Sequence, residues 1–142
     1  MLEKQSSVLN NKKQQKGRSV MSIPAELLNM VFVEELKSTP PEIEKMLVNG
    51  ERVIASFKSL RDIGAITNKR IIYFNKQGLI GKKIETYSIP LRSIDMFSSE
   101  NAGIIDFTTE FQLWTKVGVM KMSFPKKVDV HNIIRAFSEY IL

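Results

Sequence analysis

DIGAITNKRIIYFNKQGLIGKK, residues 62–83, is the stretch whose reading decides the fold. Ile63 to Thr67 and Arg70 to Asn75 are short runs rich in β-branched and aromatic residues, separated by the polar pair Asn68 and Lys69. Two polar residues between two such runs is the length of a β-hairpin turn. The second run holds Ile71, Ile72, Tyr73 and Phe74 in succession and so leaves no solvent side. It reads as a central strand, covered above and below. Asn75, Lys76, Gln77 and Gly78 then turn the chain, with Gly78 suited to a position of positive φ.

Outward from this hairpin, an alternating apolar period begins at Glu51 and persists for about seventy residues, which signals a β core. Val53, Ala55 and Phe57 share one face of the strand before the hairpin. Lys83 to Ile89 forms a fourth strand ended by Pro90, and Ser93 to Ser99 a fifth, with Ile94 and Met96 on one side. Ile105, Phe107, Phe111 and Leu113 alternate with Asp106, Thr108, Glu110 and Gln112, so the sixth strand has one buried and one wet face. Gly118 turns it into a seventh, where Met120, Met122 and Phe124 alternate with Lys121 and Ser123 before Pro125. Asp129 caps a last helix with Val130, Ile133, Ile134, Phe137 and Ile141 in one stripe.

Upstream, the spacing of Leu28, Val31, Phe32 and Leu36 predicts an amphipathic helix over residues 24–37, with Ser22 as N-cap and Pro24 in the first turn. A second short helix follows. Thr39 is its expected cap, Pro40 its first position and Glu42 the partner in a capping box; Ile43, Met46 and Leu47 give the stripe and Gly50 the stop. Residues 1–20, rich in Gln, Asn, Ser and Lys, read as a disordered basic tail. Met21 opens the ordered sequence so cleanly that the tail is expected to be non-native or to lie upstream of the true start. The division is thus 1–20 tail, 21–50 helical segment, and 51–142 a mainly β domain in which a bent antiparallel sheet, or two orthogonal sheets, is closed by the terminal helix.

The 142-residue chain has no cysteine, which excludes a disulfide framework, a thiol nucleophile and a cysteine metal site, and fits a reducing, cytoplasmic setting. Its net charge of +6 is uneven. Five basic residues stand against one acid through Val20, but sixteen against fourteen after it, so the domain itself offers no nucleic-acid-binding face. The apolar cluster around Leu27 to Val33 is too short to span a bilayer.

Catalytic chemistry has little to stand on. His131, the single histidine, lies near the start of the last helix and off its apolar stripe, where it reads as a surface residue. Asp62 and Asp106 are not brought together by any spacing and read as solvated strand-end carboxylates. Gly78 and Gly81 precede Lys82 and Lys83, but in a strand-to-strand bend and not before a helix, so the phosphate-loop reading fails. No cofactor or metal is implied. Trp114 falls on the polar face of the sixth strand, where a large aromatic needs cover from a neighbouring chain or from the N-terminal helices.

Residues Gly50 to Ile94, GERVIASFKSLRDIGAITNKRIIYFNKQGLIGKKIETYSIPLRSI, together with DFTTEFQLW at 106–114 and the closing AFSEYIL, resemble the bacterial pleckstrin-homology family. The TNKR turn, the KQGLIGKK bend and the YSIP strand end are the most specific pieces, and the match covers roughly Gly50 to Leu142. The resemblance implies a seven-stranded antiparallel PH-like barrel or sandwich capped by a C-terminal α-helix; the two short N-terminal helices are added to it here.

It also implies two kinds of function. Bacterial members are known for closed, ring-like homo-oligomers, and pleckstrin-like sheets for binding extended peptides along an edge, so a homo-oligomer or a protein or peptide partner is expected, with Trp114 at the interface. Eukaryotic relatives grip inositol phosphates on three strand loops, which correspond here to Lys58 and Arg61, Lys82 and Lys83, and Lys116. Those residues are the candidates for anionic headgroups, set against their reading as solvated turn residues, which the sequence favours; the basic tail is expected to add weak, salt-sensitive attraction to anionic membranes or nucleic acid. The sequence departs from the lipid-binding pattern at the first loop, where only Ser59 and Leu60 replace the extended basic run. The favoured expectation is a non-enzymatic assembly or protein-interaction module; the alternative is a peripheral membrane adaptor.

Overall fold

The structure is a computed structural model that describes residues 23–77, 83–101 and 108–142. In chain order its elements are α1 (Ala25–Leu28), β1 (Met30–Val31), β2 (Glu34–Glu35), α2 (Pro41–Glu44), β3 (Val53–Lys58), β4 (Ile63–Thr67), β5 (Arg70–Gln77), β6 (Lys83–Pro90), β7 (Ile94–Asn101), β8 (Thr108–Thr115), β9 (Gly118–Pro125) and α3 (Val130–Ile141). A 3-10 turn, Leu91–Ser93, joins β6 to β7. The tail, Ser22, Gly78 and Lys82, and Ile105 to Phe107, lie outside the described residues.

The central hairpin forms as its sequence dictates. β4 and β5 pair antiparallel from Ile63 opposite Phe74 to Ile66 opposite Ile71. Thr67 fixes the turn, its hydroxyl oxygen accepting from the Lys69 and Arg70 amides at 3.0 and 2.9 Å. β5 is covered on both faces: Ile71 and Tyr73 enter the main core, while Ile72 and Phe74 join a second cluster with Ile43 and Ala65. Segment 41–50 provides that second cover, with Met46 and Leu47 packed against it.

Two sheets result, in the orders β2-β3-β4-β5-β6 and β1-β9-β8-β7. The expectation of seven strands is corrected to nine among the described residues, in two sheets and not a closed barrel. The extra two come from the segment read as a helix over 24–37, of which only the single turn α1 is helical. Met30 and Phe32 are buried while Val31 and Val33 are exposed, a period of two that the helical spacing masked. β1 pairs parallel with β9 and β2 antiparallel with β3. The Phe32, Val33 and Leu36 amides donate to Ser123, Lys58 and Ser56 carbonyls at 2.9, 2.9 and 2.8 Å, stitching one sheet to the other. Tertiary pairing with two open edges outweighs local helix propensity here.

Three further corrections are local. Thr39 does not cap α2: Pro40 holds that position with no side-chain hydrogen bond, and the Glu42 capping box does not form. Met96 does not share a side with Ile94, because a register shift lies between them; Ile94 is buried, Met96 is 54% exposed, and Phe97 turns inward against Phe137 instead. Asp62 is not a solvated carboxylate but 7% exposed. The last helix follows its sequence closely. Asp129 accepts from the Asn132 amide at 3.3 Å, Ile133 and Phe137 are buried, and Val130, Ile134 and Ile141 pack against the core between the sheets.

Candidate functional site

Both long strands on one side of the fold end their sheets. β6 is the last strand of the five-stranded sheet and β7 the last of the four-stranded one, and each runs eight residues. β6 pairs with β5 over eight consecutive positions without a register shift, so its outer edge is regular. The opposite seam, in contrast, is closed by β1 and β2.

Beside the β7 edge the outer face of the four-stranded sheet carries an apolar row. Inward residues of β8 and β9 are Phe111 and Leu113, then Met120, Met122 and Phe124, all buried. Alternation therefore sends Trp114 and Val119 outward, and the β7 bulge sends Met96 the same way. Register aligns the three, with Met96 opposite Trp114 and Trp114 opposite Val119. Trp114 and Val119 are partly buried and Met96 half-exposed. Sequence reasoning singles out Trp114 but misses its neighbours, since a bulge shifts every later residue of a strand to the other face and only the pairing reveals it.

The four candidate cations that lie among the described residues, Lys58, Arg61, Lys83 and Lys116, do not form one cluster. Lys58, at the end of β3, pairs with Glu34 at 3.0 Å. Arg61, in the loop to β4, donates to Asn75 Oδ1 at 3.2 Å and lies 3.4 Å from Asp62. Lys83 is exposed at the start of β6, the end of the sheet that the 59–62 loop also occupies. Lys116 lies in the β8–β9 turn and lines a cavity with Ser88, five residues along β6 from Lys83 and so about 17 Å away along the strand. Lys82 is outside the described residues.

That cavity, about 530 Å³, opens at the corner between β6 and β7. Ile23, Leu27, Ile89 and Met120 form its apolar lining, and Val117 stands at the turn beside it. Arg92, Lys116 and Asp95 are its charged residues.

Two polar centres are structural in character. Asp62 accepts from the Tyr73 hydroxyl at 2.7 Å and from the Lys76 amide at 2.9 Å. Burial, then the Asp62 hydrogen bond, push the Tyr73 phenol well above its ordinary value. Glu51, with a fully buried side chain, receives Arg70 through Nε at 2.9 Å and a second guanidinium nitrogen at 3.0 Å, while Arg70 also donates to the Met46 carbonyl at 2.7 Å. Burial raises the Glu51 carboxyl, but the bonds from Arg70, Val48 and Thr67 outweigh it and hold the group below its ordinary value. His131 is exposed on α3. Among the described residues no group of three or more His, Asp or Glu side chains is placed to hold a metal ion, and no helix is long and apolar enough to cross a membrane.

Known proteins fit this architecture. Residues 22–141 match the family described as the bacterial PH domain. YjqA, an uncharacterized protein of Bacillus subtilis (strain 168), is 39% identical over 95 residues, 65% of this chain and 76% of its own length. Among solved structures, a DUF1696 family protein with a pleckstrin-homology domain from Shewanella loihica PV-4 is similar at a TM-score of 0.64 and 30% identity, over 71% of this chain and 88% of that one. A pleckstrin homology domain from Shewanella amazonensis SB2B is similar at 0.54 and 32% identity, over 71% and 83%. The two sheets, the C-terminal helix and these matches together make this chain a member of the bacterial PH domain family.

Proposed function

We propose that the chain is a non-enzymatic PH module that works by self-association, with the outer face of the four-stranded sheet as its contact surface. The carrying observation is the cross-strand row Met96, Trp114 and Val119 beside β7, the last strand of its sheet among the described residues. A large aromatic flanked by apolar side chains at the surface is the usual anchor of a protein interface, where removal from water of a few such residues supplies most of the binding free energy. The regular β6 edge is a second complementary element. Contact between the β7 face of one copy and the β6 edge of the next joins different surfaces, which closes into a ring when the rotation permits.

The test is solution mass by size-exclusion chromatography with light scattering, on the full chain and on Met96→Lys with Trp114→Gln. A discrete multimer of the 16.2 kDa chain that becomes monomeric in the double variant, with unchanged far-UV circular dichroism, is the expected result. A wild-type chain that stays monomeric at every concentration overturns it.

A second reading, contact with an anionic membrane, has one observation in its favour. Leu60 is 98% exposed at the tip of the 59–62 loop between Lys58 and Arg61, a leucine flanked by cations. Flotation with phosphatidylglycerol vesicles that is lost on Leu60→Ser supports this reading; flotation indifferent to Leu60 and to Lys83→Ala removes it.

A further inference from the structure

We propose that the corner cavity between β6, the β8–β9 turn and α1 is a binding site for a free, single-chain anionic amphiphile, a carboxylate or phosphate carried on an alkyl body. Three properties lead there. The volume, about 530 Å³, lies within the roughly 300–1,000 Å³ of small-molecule sites. Its lining from Ile23, Leu27, Ile89 and Met120 is aliphatic or thioether and carries no hydrogen-bonding side chain, so it favours an apolar body of no fixed shape. Arg92 and Lys116, both exposed, line it too, and neither has an ion-pair partner among the described residues.

Charge decides the sign of the headgroup. Asp95 is the one carboxylate in the lining and has no ion-pair partner among the described residues, so the site carries two cations against one anion. A carboxylate or phosphate there gains charge-assisted hydrogen bonds, with Arg92 able to present two donors in parallel. The hydroxyls of Ser93 and Thr115 add polar groups to the lining, although each already bonds within its own turn, to the Pro90 and Gly118 carbonyls at 2.7 and 2.9 Å. A membrane surface is disfavoured as the source: a site with a single excess positive charge offers a bilayer little attraction.

The cavity differs from the proposed contact row, so the two ideas fail separately. The experiment is isothermal titration of the full chain with octyl phosphate below its micelle concentration, and with octyltrimethylammonium as the cation of matching length. One-to-one binding of octyl phosphate is expected, strengthened about four-fold per methylene along the hexyl, octyl and decyl series while the chain fits. Arg92→Glu with Lys116→Glu weakens octyl phosphate at least about ten-fold and admits octyltrimethylammonium. Val117→Trp, at an exposed rim position, weakens octyl phosphate by filling the mouth. Equal binding of the two amphiphiles by the wild-type chain, indifference to Val117→Trp, or no one-to-one binding up to millimolar concentration overturns the site. Vesicle flotation that needs an open mouth, in a chain that ignores octyl phosphate, overturns it in favour of a bilayer lipid.

Discussion

The ring of Phe32 lies directly on the backbone of Gly64: a Cβ added to Gly64 would stand 2.5 Å from the Phe32 Cζ and 2.6 Å from Cε1. Phe32 also bridges the two sheets, with centroids 5.4 Å from Phe57, 6.1 Å from Tyr73 and 5.6 Å from Phe124. Phe57 and Tyr73 belong to one sheet and Phe124 to the other, so this contact fixes how the N-terminal segment closes the seam.

Gly64→Ala is therefore expected to destabilise the fold by about 1–3 kcal/mol through overpacking, and Phe32→Ala by about 3–5 kcal/mol through the cavity it leaves. The two are coupled. In a Phe32→Leu background the alanine methyl gains room, and its penalty shrinks. Urea denaturation of the four chains checks this; an alanine penalty unchanged by the leucine would separate the two sites.

The Glu51 and Arg70 pair makes stability depend on acid. The Glu51 carboxyl is held below its ordinary 4.5 in the folded chain, so its contribution is complete above that value and is lost as pH falls through the lower, folded one. Glu51→Gln is expected to cost about 3 kcal/mol at neutral pH, because it leaves Arg70 without its carboxylate. The gap between the two chains narrows on acidification below pH 4.5, and denaturant midpoints taken across that range measure it.

What could be read from the sequence depended on whether a local period was the one the fold used. Strand β5 announces itself because four consecutive apolar residues have no polar face under any pairing, and α3 because Asp129 and the Ile133 and Phe137 stripe agree. The 29–36 segment fits both periods. Leu28, Phe32 and Leu36 are four apart while Met30 and Phe32 are two apart, and only the two open sheet edges decide between them. Asp62 was misread for a related reason: its partners, Tyr73 and the Lys76 amide, arrive from the next strand but one turn away. The contact row needed the bulge before Met96, which has no local signature in SIDMF.

Asp62 gives a prediction with two magnitudes. Tyr73→Phe removes one hydrogen bond and leaves the carboxylate its amide donor, at an expected loss of about 1 kcal/mol. Asp62→Ala leaves both the buried Tyr73 hydroxyl and the Lys76 amide without their acceptor and is expected to lose more, about 2–4 kcal/mol. Asp62→Ala in the Tyr73→Phe chain then costs less than it does alone, and a double-mutant cycle reads the difference.

Trp114 is the chain's single tryptophan, so its emission reports the proposed contact row without a label. Association through that row is expected to cover the indole, and dilution to uncover it. Emission is expected to shift to longer wavelength, and acrylamide quenching to rise, over the same concentration range in which the solution mass falls. Met96→Lys places a charge directly opposite Trp114 and should hold the emission at its uncovered value throughout. Because the row is apolar, moderate salt leaves the association intact, whereas a contact driven by the lysines weakens as the screening length shortens. A mass that changes while the emission does not would place the interface elsewhere on the surface, with the regular β6 edge the next segment to substitute.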